Sequence, residues 1–347
     1  SSADHREDMS LIKEIGANGI RLAHYPHSDE FYTLCDREGM LVWAEIPLVG
    51  KALDTPEFTE NMKTELTELI RQNFNHPSIF CWSLCNELSK GDVKGLISEL
   101  NSVSHREDPG RLTVLAANVE KRPENAVPDI MAFNTYPGWY WAEPSEMKST
   151  LERWNRQCGN KGIAVSEYGA GANVWHHWQT GKKTPKADGV FHPEEWQATV
   201  HEQTYDAIKR SGFAWGSFVW NMFDFASASR NEGDMPGMND KGLVSYDRKI
   251  RKDAFYFYQS EWSEEPVVHI ASRRDVARRD SLTDVKVYTN CETVRLKVNG
   301  KDCGSPERNG SICIWRKVGL KHGENQVEAF GHRGGQEFSD RCKWVLF

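Results

Sequence analysis

Ile79-Phe80-Cys81-Trp82-Ser83-Leu84-Cys85-Asn86-Glu87 is an apolar run of strand-forming residues that ends in an amide and a carboxylate. A parallel strand covered by helices on both faces reads this way, because neither face meets water. Polar groups at the carboxyl end of such a strand are costly to bury unless a site uses them. Glu87 is therefore a candidate half of a catalytic carboxylate pair. Its counterpart is Glu167, near the end of a second such run, Gly162 to Gly169.

Upstream of this strand the chain alternates. A helix over Asp8 to Ile15 stops at Gly16, and strand Asn18 to Ala23 follows, carrying Arg21 and leading into His24. Ser28 can cap a helix that ends at Gly39, and strand Leu41 to Ile46 carries Glu45 near its end. Phe58, Met62, Leu66, Leu69, Ile70 and Phe74 recur three or four apart, which predicts an amphipathic helix. Downstream, a helix containing Val93 to Val103 precedes strand Leu112 to Ala117, and strand Asp129 to Tyr136 comes next. Helix Ser145 to Cys158, strand Gly162 to Gly169, helix Pro193 to Arg210, strand Phe213 to Phe225 and helix Lys252 to Trp262 complete the series.

Seven strands interleaved with helices, all expected parallel, fit a (β/α)8 barrel or a doubly wound sheet. Polar and aromatic residues gather at the carboxyl ends of at least five strands, and no Gly-x-Gly-x-x-Gly turn follows any of them. A barrel collects strand ends into one ring, whereas an open sheet offers mainly a switch-point crevice. The expected architecture is α/β, a TIM barrel that lacks its first strand, because the chain starts on the helix that would follow it. From residue 263 onward short alternating runs appear, with Asn299-Gly300 as a hairpin turn. This reads as a small all-β, immunoglobulin-like sandwich, so domains are expected at 1–262 and 263–347. Arg273-Arg274 and Arg278-Arg279, interrupted by Asp275 and Asp280, read as a solvated loop.

A net charge of -7 on 347 residues, with both signs interspersed, gives no reason to expect nucleic acid or membrane as a partner. The eight cysteines lack the close pairing of a zinc site. Cys81 and Cys85 share a strand face and read as core packing, while a disulfide among Cys291, Cys303, Cys313 and Cys342 has no assignable pairing. Thirteen tryptophans could stack on sugar faces or fill cores.

Two carboxylates at strand ends suit glycosidic bond cleavage. One must be protonated to help the leaving oxygen depart, and the other must attack or activate water. A single strand-end Glu would read as the partner of an Arg or Lys. Asn86-Glu87 and Ser166-Glu167-Tyr168-Gly169 on equivalent strand ends read as function.

The chain resembles the catalytic domain of glycoside hydrolase family 2, and most its β-galactosidases. The words that carry the resemblance are Asn18-Gly19-Ile20-Arg21-Leu22-Ala23-His24-Tyr25-Pro26, Tyr32-Thr33-Leu34-Cys35-Asp36-Arg37-Glu38-Gly39, Asn75-His76-Pro77-Ser78, Trp82-Ser83-Leu84-Cys85-Asn86-Glu87, Asn134-Thr135-Tyr136 and Ser166-Glu167-Tyr168-Gly169. The resemblance implies Glu87 as acid/base, Glu167 as nucleophile and retention of configuration. It implies Asn86 as the contact for the sugar 2-hydroxyl and Tyr136 as a donor to Glu167. Arg21 reads either as a partner of the nucleophile or as a structural ion pair, and His24 as facing the sugar or as a satisfied core histidine. Trp220 is the candidate stacking platform, ahead of Trp139 and Trp141.

Asn239-Asp240-Lys241 bears on the substrate, since an ammonium beside an amide could clamp a sugar carboxylate, as in the β-glucuronidases of this family. Similar words occur in its β-galactosidases, and Phe191 to Gln197 and Lys252 to Tyr258 look galactosidase-like. The main expectation is thus a terminal β-galactoside, with β-glucuronidase and an inactive carbohydrate-binding fragment as alternatives. The expected partner is a β-linked glycoside, with oligomerisation left open. No cofactor and no essential metal are expected.

Overall fold

The computed structural model describes residues 1–88, 90–91, 93–178 and 184–347. Two compact units make up the chain, one of Ser1–Ser10, Asn18–Tyr168 and Thr204–Val219, the other of Leu11–Ala17, Gly169–Gln203 and Trp220–Phe347.

In the first unit seven strands form one parallel sheet in sequence order: β1 (Gly19–Leu22), β2 (Leu41–Glu45), β3 (Ile79–Asn86), β4 (Leu112–Ala117), β5 (Ile130–Asn134), β6 (Ile163–Tyr168) and β7 (Ala214–Val219). The unbroken sequential order is that of a barrel wall. It is nearly closed, with β1 and β7 as its ends, and the Phe218 ring of β7 lies beside Gly19 of β1, where even a Cβ would stand 3.9 Å from it. Along the wall Trp43 meets small residues, Val114, Ala116, Ala132 and Ala164, so one large indole fills space that alanines leave open. The ring packs edge-on to Phe218 at 5.5 Å between centroids.

The helices follow the expected pattern, with differences at their ends. The first, α1 (Ser2–Glu14), starts six residues earlier than the apolar spacing implied, because its first turns are polar and only its later residues reach the core. Next come α2 (Asp29–Glu38) and α3 (Pro56–Asn73). Thr55 caps α3 by accepting the Phe58 amide at 3.2 Å, with proline in the first turn. Met62, Leu66, Leu69 and Ile70 are buried, whereas Phe74 is exposed, with the Arg111 guanidinium over its ring. Then follow α4 (Lys94–Glu107), α5 (Met147–Gln157), α6 (Glu194–Lys209) and α7 (Asp253–Trp262). The aromatic stretch Phe213 to Phe225 is not one strand. β7 stops at Val219, and a two-residue hairpin partner pair, β8 (Phe225–Ala226) and β9 (Met238–Asn239), follows in the second unit.

The second unit also holds the C-terminal strands, in two sheets. One has the order β10 (Val268–Ile270), β12 (Leu282–Thr289), β16 (Ile312–Gly319), β15 (Glu307–Asn309). The other runs β11 (Ala277–Arg278), β18 (Gln336–Leu346), β17 (Gly323–Arg333), β13 (Thr293–Val298), β14 (Lys301–Asp302). Val285, Val287, Leu296, Cys313, Trp315, Val327 and Trp344 fill the core between them. Asn299 and Gly300 turn between β13 and β14 with φ of 52° and 77°, the positive pair that this hairpin turn demands. All eight cysteines are free thiols.

The arginine run departs from expectation. Arg273 donates to Asp340 at 3.0 Å, and Arg274 pairs with buried Glu194. Arg278 is buried and lies over the Trp344 ring at 3.7 Å. Three of the four arginines thus pack inward, and Arg279 with Asp280 stays exposed. Leu296→Ala should lower stability by about 2–5 kcal/mol in a urea titration followed by tryptophan fluorescence, whereas Leu282→Ala, on an exposed side chain, should change it by less than about 0.5 kcal/mol.

Candidate active site

The carboxyl ends of β1, β2, β3, β5 and β6 bring together most of the residues that the sequence singled out. Residues placed opposite one another by the parallel register include Arg21 and Trp43, Glu45 and Ser83, and Asn134 and Glu167.

Arg21 is the hub. Its Nη1 donates to Glu167 Oε1 at 2.7 Å and to the Ser166 carbonyl at 3.1 Å. Its Nη2 donates to Asn86 Oδ1 at 2.8 Å. The opposite side of the guanidinium forms a fork with Glu45, through Nε and Nη2, both at 3.0 Å. The two readings of Arg21 are therefore both realised, since it pairs with the candidate nucleophile and with a structural carboxylate. Burial works against its charge, but Glu45 and Glu167 outweigh burial and raise its pKa further.

Glu45 is fully buried and has every acceptor direction in use. Beyond Arg21 it accepts from His24 Nδ1 at 2.6 Å and from the Trp43 indole at 2.9 Å. Burial alone would push its carboxyl up, yet Arg21 and His24 hold it below its ordinary value. His24 turns its other nitrogen to within 3.8 Å of Glu167 Oε1 and remains partly exposed.

Glu167 has its second oxygen on the Tyr136 hydroxyl, which donates at 2.6 Å. Burial, reinforced by the Glu167 charge, raises the Tyr136 phenol well above its usual range, so it stays a neutral donor. Asn134 serves the other carboxylate. Its Nδ2 donates to Glu87 Oε1 at 2.9 Å and to Asn86 Oδ1 at 3.0 Å, while its oxygen accepts from Ser166 Oγ at 2.7 Å. Glu87 itself has φ of 54°, a left-handed backbone that only a few non-glycine residues adopt. Burial raises its carboxyl above the ordinary value, the Asn134 donor opposes this, and the Glu167 charge adds to it.

The arrangement is asymmetric in charge. Glu167 accepts from a guanidinium on one oxygen and from a phenol on the other. Glu87 is biased to keep a proton. One group suits attack, the other proton donation. Glu45 and Asn134 are the residues that sequence reasoning did not assign. Both stand at strand ends already flagged, but their partners lie far away in sequence and depend on register. Trp139 is buried, whereas Trp141 is exposed.

The remaining candidates lie in the second unit. Trp220 follows β7 and packs edge-on to Phe225 at 5.9 Å between centroids. Asn239 and Lys241 are buried on one turn, where Asn239 Oδ1 accepts the Lys241 backbone amide at 3.2 Å. Among the described residues no group of three or more His, Cys, Asp or Glu side chains could hold a metal ion.

Residues 1–264 match the family model described as glycosyl hydrolases family 2, TIM barrel domain. The chain belongs to glycoside hydrolase family 2. Residues 280–339 match a second model, a domain of unknown function. A β-glucuronidase of Bacteroides fragilis is 43% identical over 334 residues, which are 93% of this chain and 48% of that protein. A solved structure from Bacteroides fragilis, named provisionally as a β-galactosidase, superposes with a TM-score of 0.94 at 34% identity over 100% of this chain and 52% of its own. Bacteroides uniformis β-glucuronidase 2, covalently bound to cyclophellitol-6-carboxylate aziridine, gives a TM-score of 0.90 at 30% identity, covering 100% of this chain and 44% of its own. The chain thus spans about half the length of the relatives it matches.

Asn134→Ala should move the alkaline limb of the kcat/KM profile upward by roughly 1 pH unit, because the lost bond favours charged Glu87. It should also lower kcat, since Asn86 loses its donor. A limb that moves downward or stays in place would remove Glu87 from the acid role.

Proposed function

We propose that this family 2 glycoside hydrolase is a retaining β-glucuronidase. Glu87 protonates the departing oxygen while Glu167 attacks the anomeric carbon, giving a covalent glycosyl-enzyme; Glu87 then takes a proton from the water that releases the sugar. Arg21 and Tyr136 hold the Glu167 carboxylate in place through one oxygen each. Asn86 takes the sugar 2-hydroxyl, a contact that strengthens as oxocarbenium character develops. His24 contacts the sugar beside Glu167, and Trp220 supplies the face on which the ring stacks.

The observation that carries the choice of sugar is Lys241. Lys241 is buried two residues from Asn239 on a turn fixed by that asparagine, and a carboxylate ligand gains a charge-assisted contact from an ammonium where a neutral hydroxyl gains less. A uronate carboxylate is the ligand that such a pair would take. A galactoside offers a neutral 6-hydroxyl and gives a buried ammonium less. The named β-glucuronidases among the relatives favour the same reading over the galactoside, which the Bacteroides fragilis structure alone of those described supports by name.

The protein should hydrolyse p-nitrophenyl β-D-glucuronide in preference to the β-D-galactoside. Lys241→Ala should lower kcat/KM for the glucuronide by about a hundredfold, the effect of losing a charge-assisted contact in a dry site. Glu167→Ala should abolish turnover. A preference for the galactoside, or indifference to Lys241→Ala, would reject the uronide reading, and sugar binding without any turnover would favour an inactive binding module.

A further inference from the structure

Lys252, the residue before α7, has no exposed surface. Lysine is almost never buried to this degree unless its ammonium is fully paired. Here it is. Nζ donates to the Ala172 carbonyl at 2.7 Å, to Asp224 Oδ1 at 2.8 Å and to the Asp240 carbonyl at 2.8 Å. Three donors meet three acceptors.

Where these bonds land matters more than their number. Asp224 Oδ1 also accepts the Gly242 amide at 2.8 Å, and the Lys252 backbone amide donates to the Leu243 carbonyl at 2.8 Å. The Asp240 carbonyl accepts a second bond from the Ala172 amide at 3.0 Å, and the Asp240 carboxylate pairs with buried His192 Nδ1 at 2.6 Å. The Lys241 carbonyl accepts the Asn221 amide at 3.0 Å. Lys252 or its carboxylate partner thus reaches residues 240, 242 and 243, which enclose Lys241 on both sides. The backbones run close together here, since a Cβ on Gly242 would lie 2.0 Å from the Asp224 amide nitrogen.

We propose that Lys252 is a positioning residue for uronate selectivity. Its ammonium fixes the backbone of the Asn239–Lys241 turn, and so the direction from which the Lys241 charge is offered to the sugar carboxylate. This rests on the reading of Lys241 given above. A lysine that merely staples the fold would, when lost, damage turnover of all substrates alike. A positioning lysine would spare the chemistry of the carboxylate pair and lose only the preference for the acid.

The test is covalent labelling of Glu167 in the full-length protein, followed by intact mass. Two probes are used, cyclophellitol aziridine with a 6-carboxylate and without one. Lys241→Ala, Lys252→Met and the double variant Lys252→Met/Asp224→Asn are compared with wild type. The double variant removes both buried charges together, which folded proteins tolerate better than loss of one partner. Labelling by the carboxylated probe should slow by about tenfold or more in all three, while in the two Lys252 variants the neutral probe stays within about twofold. If Lys241→Ala is selective but both Lys252 variants slow the two probes in parallel, or neither, Lys252 is a structural staple and the glucuronidase reading stands. If Lys241→Ala itself leaves the ratio unchanged, the reading of Lys241 fails and this inference with it.

Discussion

The catalytic end of the barrel depends on one buried ion pair, Arg21 with Glu45. A carboxylate with no exposed surface is tolerable only if each lone pair is met, and four N–H donors from Arg21, His24 and Trp43 do so. The fork orients the guanidinium, and orientation decides everything downstream. With Nε and part of Nη2 committed to Glu45, Nη1 is left aimed at Glu167 and the rest of Nη2 at Asn86. Removing Glu45 would leave a buried arginine charge balanced on Glu167 alone, which couples loss of structure to loss of the Glu167 geometry.

With that pair, a continuous network crosses five strands, β1, β2, β3, β5 and β6. Asn86 accepts from both Arg21 and Asn134, Asn134 reaches Glu87, and Ser166 closes the circuit on the Asn134 oxygen. Its two candidate catalytic carboxyls stand in different surroundings. Glu87 meets an amide and burial; Glu167 meets a cation and a phenol. Under the proposed mechanism, that asymmetry suits two chemically identical side chains to different roles.

The barrel was legible because parallel strands buried on both faces leave a pattern that survives without neighbours: apolar runs of five to eight residues, then a polar end. Glu87, Glu167 and Arg21 were legible for the same reason. Glu45 and Asn134 were not, since their meaning arises from register, which a one-residue slip would erase. The run from Arg273 to Arg279 misled for a related cause. Its partners Glu194, Asp253 and Asp340 lie on other elements, and local composition says nothing about them. The turn at 239–241 lay in between. The triplet 239–241 was visible, but the buried lysine that fixes it, Lys252, reads locally as an ordinary helix-start residue.

The left-handed backbone at Glu87 has a consequence for how this protein can change. A residue with a Cβ held there costs about 1 kcal/mol or more relative to glycine. Replacing it with glycine would relax the chain and remove a partly buried carboxyl in a single step. Selection for thermal robustness alone would be drawn toward this position, and only a demand on the carboxyl itself would hold the glutamate in place. The carboxyl that stands at the end of the strand is thus also one that the fold, left to itself, would exchange.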